Sequence, residues 1–199
     1  MIGHTYSTDS HERERVLLGL ALLAIGAAWG LSELFHVTKF VVPWWIDAPS
    51  TLGFYGIFFK LFDSYGWRID LLRRTGILEV PVLAGEWRGH VVSSFDGHKK
   101  PHRVTVQIKQ SWTRVVVLLS SDTSRSHTLT AAIEVYAPEG VVLSYQYENQ
   151  PQPGAVKTME IHVGTARLTL TSGAALEGHY YSGRGRREFG KLFLERAVR

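Results

Sequence analysis

The pattern of apolar and polar positions divides this chain in two. Residues 16–35, "VLLGLALLAIGAAWGLSELF", run apolar with no charge before Glu33. A soluble helix shows a polar face at the 3.6-residue period, and this run has none. Twenty residues in helix cover roughly 30 Å, the hydrocarbon thickness of a bilayer, so the run predicts a membrane span. A second apolar run, 52–67, "LGFYGIFFKLFDSYGW", contains Lys60 and Asp63, three residues apart and therefore on one helix face. It reads either as an interfacial helix or as a second span whose charges face protein. From residue 86 onward the helical period is replaced by β-branched alternation.

Eight strands are predicted, over 86–94, 102–110, 114–121, 125–135, 141–148, 159–171, 174–182 and 187–196. Val104, Val106 and Ile108 alternate with Arg103, Thr105, Gln107 and Lys109, and Leu129, Ala131, Ile133 and Val135 alternate in the same way. One apolar and one wet face describe a water-soluble antiparallel sheet, and eight up-and-down strands close into a barrel able to hold a small ligand. The predicted fold is mainly β, an eight-stranded up-and-down antiparallel β-barrel preceded by an N-terminal transmembrane α-helical hairpin. The expected divisions are a cytosolic tail (1–15), a two-helix membrane region (16–69), a linker (70–84) and a cytosolic barrel (85–199).

The flanks refine the first third. Arg13 and Arg15 before an apolar run, with Gly26-Ala27-Ala28 inside it, also fit a cleaved signal peptide. Trp44 and Trp45 beside Pro43 fit the aromatic belt of a retained membrane segment and favour the span. Arg13 and Arg15 precede the first run, Arg68, Arg73 and Arg74 follow the second, and only Lys39 lies between. The positive-inside bias puts both ends in the cytoplasm, with a multi-pass helical hairpin crossing the membrane.

Loop lengths polarise the barrel. Short turns around Ser111-Trp112, Pro138-Glu139-Gly140 and Ser172-Gly173 share one end. The other end receives "SFDGHKKPH", "SDTS", "NQPQPGAVK" and "GRGRR", with His98, Lys99, Lys100, Lys157, Arg184 and Arg187 among their residues. Extending each strand's apolar face to that rim nominates Ser93, His102, Arg125, His127, Tyr145, Tyr147, Tyr180, Ser182 and Arg186 as ligand-binding residues. Tyrosine rings stack on bases and guanidinium forks bind phosphate, so this set suits a compact nucleotide better than a fatty acid. At the closed end, parity places Arg196 over the Trp87 ring as a structural cation–π contact.

Composition narrows the chemistry. A net charge of +4 suits an anionic ligand or a lipid surface and is too small to imply DNA or RNA. The absence of cysteine excludes disulfides, thiolate catalysis and lipoprotein acylation. No phosphate loop, His-Glu-x-x-His zinc site or nucleophile elbow occurs, so no enzyme, catalytic residue or metal site is expected. "HKKPH" reads as a solvated hairpin loop.

Taken together, 16–67 as spans and "GEWRGHVVSS" through "LEGHYYSGRGRREFGKLFLER" as barrel, the chain resembles the two-transmembrane β-barrel effectors of CBASS, bacterial cyclic-oligonucleotide-based anti-phage signalling. The resemblance implies a nucleotidyltransferase of the CD-NTase type as functional partner and a cyclic dinucleotide as ligand, with no cofactor. It further implies ligand-promoted homo-oligomerisation and disruption of the inner membrane, killing the infected cell. "GEW" and Arg196 also resemble lipocalins, and the alternative is a membrane-tethered carrier of a small apolar molecule.

Overall fold

The computed structural model describes residues 3–39, 44–152, 160–183 and 187–197, with the side chains of 44–49 outside the description. Two compact units form, one of Met1–Ser10 with Val80–Arg199 and one of His11–Glu79.

The helical unit contains α1 (Glu12–Val37), α2 (Trp44–Ser64) and the short α3 (Asp70–Arg74). Among the described residues one helix, α1, is long and apolar enough to cross a membrane. Leu18, Leu22, Leu23 and Trp29 on it are more than half exposed, the kind of surface that lipid covers. α1 and α2 pack against each other. At the start of α1, the buried Glu12 carboxylate accepts the backbone N–H of Glu79 (2.5 Å), and Arg15 pairs with Glu79 at 2.9 Å. Trp44 and Trp45 fall in α2, and Pro43 lies outside the described residues.

The second unit is a closed barrel. Its wall runs β3 (Gly85–Ser93), β4 (Pro101–Gln110), β5 (Arg114–Ser120), β6 (Ser124–Glu134), β7 (Val142–Pro151), β8 (His162–Thr171), β9 (Ala175–Ser182) and β10 (Phe189–Arg196). Each strand pairs antiparallel with the next, and β10 returns to β3 from Gly190↔Ser93 to Arg196↔Trp87. This is the predicted up-and-down order. The core holds the expected apolar parity residues, Val104, Val106 and Ile108 of β4 with Leu192 and Leu194 of β10. The closed end is sealed as parity required: the Arg196 guanidinium lies 4.5 Å from the Trp87 ring centroid and donates to the carbonyls of Ala84 and Val82. The Trp87 indole N–H donates to Leu83 O at 2.9 Å.

One part of the wall was not read from sequence. β5 and β6 pair only near the open end, Leu118–Ser120 against His127–Arg125. Below that seam two short N-terminal strands enter: β1 (His4–Thr5), antiparallel to β5, and β2 (Ser7–Thr8), parallel to β6. Tyr6 between them is 2% exposed and donates to Trp112 O at 2.7 Å. The Asp9 carboxylate accepts the N–H groups of Val135 (2.7 Å) and Tyr136 (3.0 Å). These residues fall within the stretch expected as a cytosolic tail, 1–15, because strands this short carry no alternation to read.

Candidate ligand-binding cup

The open end of the barrel holds a cavity of about 220 Å³. Val91, Val104, Leu119, Ala166 and Leu192 give it apolar walls, and the rings of Tyr145, Tyr147 and Tyr180 face into it. Tyr145 and Tyr147 alternate inward on β7, with ring centroids 6.1 Å apart and tilted. Two glycines on neighbouring strands make room for rings. A Cβ on Gly164 would lie 2.4 Å from the Tyr147 hydroxyl oxygen, and one on Gly190 2.6 Å from Cε1 of Tyr180. Each ring therefore rests against bare backbone, the close approach that a strand glycine permits.

Parity brings four of the nominated residues into one wall. The Tyr180 hydroxyl donates to Ser93 Oγ at 2.7 Å, and that oxygen also accepts the N–H of Phe95. Tyr145 and Tyr147 line the same cavity from β7. Burial pushes the Tyr145 phenol well above its ordinary pKa, so it stays neutral. His102 lines the mouth, its Nε2 3.2 Å from Asp96 Oδ2. Burial would raise the Asp96 pKa, but hydrogen bonds from His102 and from the N–H groups of Lys100 and Lys99 outweigh it and hold the carboxyl below its ordinary value.

Two nominated residues are corrected. Arg125 and His127 were expected on the inner face by extending Leu129, Ala131 and Ile133 outward along the strand. The register of β6 against β7 slips between Thr128 and Thr130, leaving Leu129 as the extra residue. A bulge of this kind reverses parity beyond it. Ser126 and Thr128 therefore point inward, while Arg125 is exposed and neither it nor His127 lines the cavity. Ser182 keeps inward parity but closes the link to β10: its hydroxyl donates to Glu188 O at 3.0 Å and accepts the Glu188 N–H at 2.8 Å. Arg186 lies outside the described residues, as do Arg184 and Lys157. Among the described residues the lining contains no lysine or arginine.

The reading missed Asn149, Ser126, His162 and Glu188, all of which line the cavity. Asn149 was available, because the inward series Leu143, Tyr145, Tyr147 continues to it two residues on. Ser126 was not, because its parity depends on the bulge. Among the described residues no group of three or more His, Cys, Asp or Glu side chains is placed to hold a metal ion.

Comparison with known proteins agrees with this architecture. The family described as "Cap15, cyclic dinucleotide receptor domain" matches residues 78–196, and that described as "Cap15, TM helices" matches residues 14–68. The CD-NTase-associated protein 15 of Yersinia aleksiciae is 30% identical over 168 residues, covering 81% of this chain and 76% of the relative.

Proposed function

The chain belongs to the Cap15 family of CBASS effectors, and from that premise we propose that its barrel binds a cyclic dinucleotide and that the loaded protein oligomerises and disrupts the inner membrane. The observation that carries this reading is the convergence of Tyr145, Tyr147 and Tyr180 on one cavity with buried neutral polar groups among them. Base–aromatic stacking contributes about 1–3 kcal/mol per base. A cavity of about 220 Å³ is below the range of pockets that enclose whole drug-sized ligands, so it takes one base and leaves the sugar–phosphate ring at the mouth. Between β7 and β8 and between β9 and β10 the sequence carries Lys157, Arg184 and Arg186, all outside the described residues. Guanidinium forks match phosphate geometry. An apolar cargo, by contrast, would leave Asn149 and Ser126 buried without partners.

Connectivity supports a helical hairpin with the barrel in the cytoplasm. The chain leaves the barrel after Ser10 and rejoins it at Val80. A path that leaves and returns to one soluble domain crosses a membrane an even number of times. Arg13 and Arg15 precede the first apolar run, and Arg68, Arg73 and Arg74 follow the second, as the positive-inside bias requires of cytoplasmic ends. Lys60 and Asp63 then lie within a span and face protein.

The effector step is tested with full-length protein in dye-loaded vesicles of inner-membrane lipid. Dye release that depends on an added cyclic dinucleotide, and on residues 11–79, is the expected result. Binding without release, at any protein density, would refute membrane disruption while leaving the receptor intact.

A further inference from the structure

We infer that Asn149, with Ser126 beside it, is a reader of a nucleobase edge, so that the cup selects its ligand by one base. The inference rests on the proposed receptor function and assigns it a specificity-determining site. Asn149 and Ser126 are direct cross-strand partners on β7 and β6, and both line the cavity. They are 7% and 9% exposed. Neither the Asn149 carboxamide nor the Ser126 hydroxyl is hydrogen-bonded to any described protein group, and the same holds for the Tyr145 hydroxyl, which shares the cavity.

Their neighbours show how unusual this is. Gln110, the other buried carboxamide, uses both ends, accepting from Leu83 N at 2.7 Å and donating to Pro81 O at 3.0 Å. Ser93, Ser111 and Thr128, equally buried, all have partners. Buried polar groups are almost always paired, because desolvating them without a bond is costly. Three groups with no protein partner thus open into one cavity, where an entering ligand can take the bonds that water otherwise makes.

The chemistry of that partner follows from the groups. A carboxamide sets one acceptor beside one donor, the complement of a base edge with a donor and an acceptor side by side, such as adenine N6–H with N7. The hydroxyls of Ser126 and Tyr145 can each donate or accept, and the neutral phenol does so throughout the physiological range. The Tyr147 ring, two residues before Asn149 on the same inward face, offers the base a stacking surface.

The test is titration calorimetry of the full-length protein against 3′,3′-cyclic di-AMP, cyclic di-GMP and cyclic GMP–AMP, with AMP and GMP as single-base probes. Asn149→Ala is expected to weaken the preferred probe about ten- to hundredfold. Because it removes an unpaired buried polar group, it should leave the melting temperature unchanged or raised, which a structural asparagine would not allow. Asn149→Asp presents two acceptors and no donor, so it should move preference toward guanine, whose N1–H and N2–H₂ are adjacent donors. Ser126→Ala should produce a smaller loss in the same direction. Cyclic dinucleotide binding that ignores all three variants overturns the base reader and leaves the receptor standing. Mononucleotide binding that depends on Asn149 without any response to cyclic dinucleotides keeps the base reader and removes the receptor. Silence of every probe on the wild-type protein overturns both.

Discussion

Gly164 is the position where fold and cup meet, and Gly164→Ala tests both. The added Cβ would lie 2.4 Å and 2.5 Å from the hydroxyl oxygen and Cζ of Tyr147, and 2.6 Å from the carbonyl oxygen of Tyr181. The first two contacts can be relieved by moving a ring. The third is with the paired backbone of β9 and can be relieved only by moving a strand. Overpacking costs about 1–3 kcal/mol, and a clash on both sides puts this substitution near the upper end, about 3 kcal/mol. At about 3 °C per kcal/mol for a chain of this size, the melting temperature should fall by about 9 °C. Because the ring that moves faces the cavity, affinity for cyclic dinucleotide should drop with it. Fluorimetric melts and calorimetry in detergent measure the two effects together. In a Tyr147→Ala background the ring clash is gone, so Gly164→Ala should cost at least about 1 kcal/mol less than in the wild type. A variant that melts within a degree of wild type, or costs that are strictly additive, would refute the claim that Gly164 seats the Tyr147 ring.

Other outcomes follow from the same geometry. Arg196→Ala removes a cation–π contact of about 0.5–2 kcal/mol and the cover of two carbonyls, so it should lower stability without changing ligand affinity; a loss of affinity at unchanged stability would contradict the structural role. Tyr6→Ala should destabilise the barrel by about 3–5 kcal/mol and speed amide exchange in β1, β5 and β6, whereas exchange confined to residues 3–10 would mean the seam closes without it. The Asp96 carboxyl sits below its ordinary value of 3.8, so its contacts with the N–H groups of Lys99 and Lys100 are complete above that pH. They should be lost as the pH falls through the lower folded value, and Asp96→Asn should abolish that acid-side change in Lys99 and Lys100 amide exchange. Tyr180→Phe, which removes one of the two donors to Ser93 Oγ, should cost about 1 kcal/mol and loosen the short turn at Ser94–Asp96.

Fold and site differed in how far they could be read from the letters. The barrel was legible because period-2 alternation is strong in β4 and β7, and because an up-and-down order with asymmetric loops leaves few topologies. The same alternation led to Tyr145, Tyr147, Tyr180 and Ser93. It failed on β6, where a single extra residue at Leu129 reversed the inner face and put Ser126 where Arg125 and His127 had been expected. A bulge leaves no mark in a pattern whose residues are apolar on one side and small polar on the other. The N-terminal strands were illegible for a different reason. Their place in the wall comes from long-range partners, Trp112 O for Tyr6 and Thr128 for His4, and not from local propensity. Asn149 was overlooked because a lone polar residue at the end of an apolar series reads as its exit to solvent.

The central claim is that a cyclic dinucleotide lodges in this cup against the rings of Tyr147 and Tyr180. Titration calorimetry of the full-length protein against a panel of cyclic dinucleotides tests it most directly. One ligand per barrel, at micromolar affinity or tighter, with the heat abolished in the doubly substituted Tyr147→Ala, Tyr180→Ala protein, is the predicted result. A panel without heat, or a double variant that melts normally and binds as the wild type does, would contradict it.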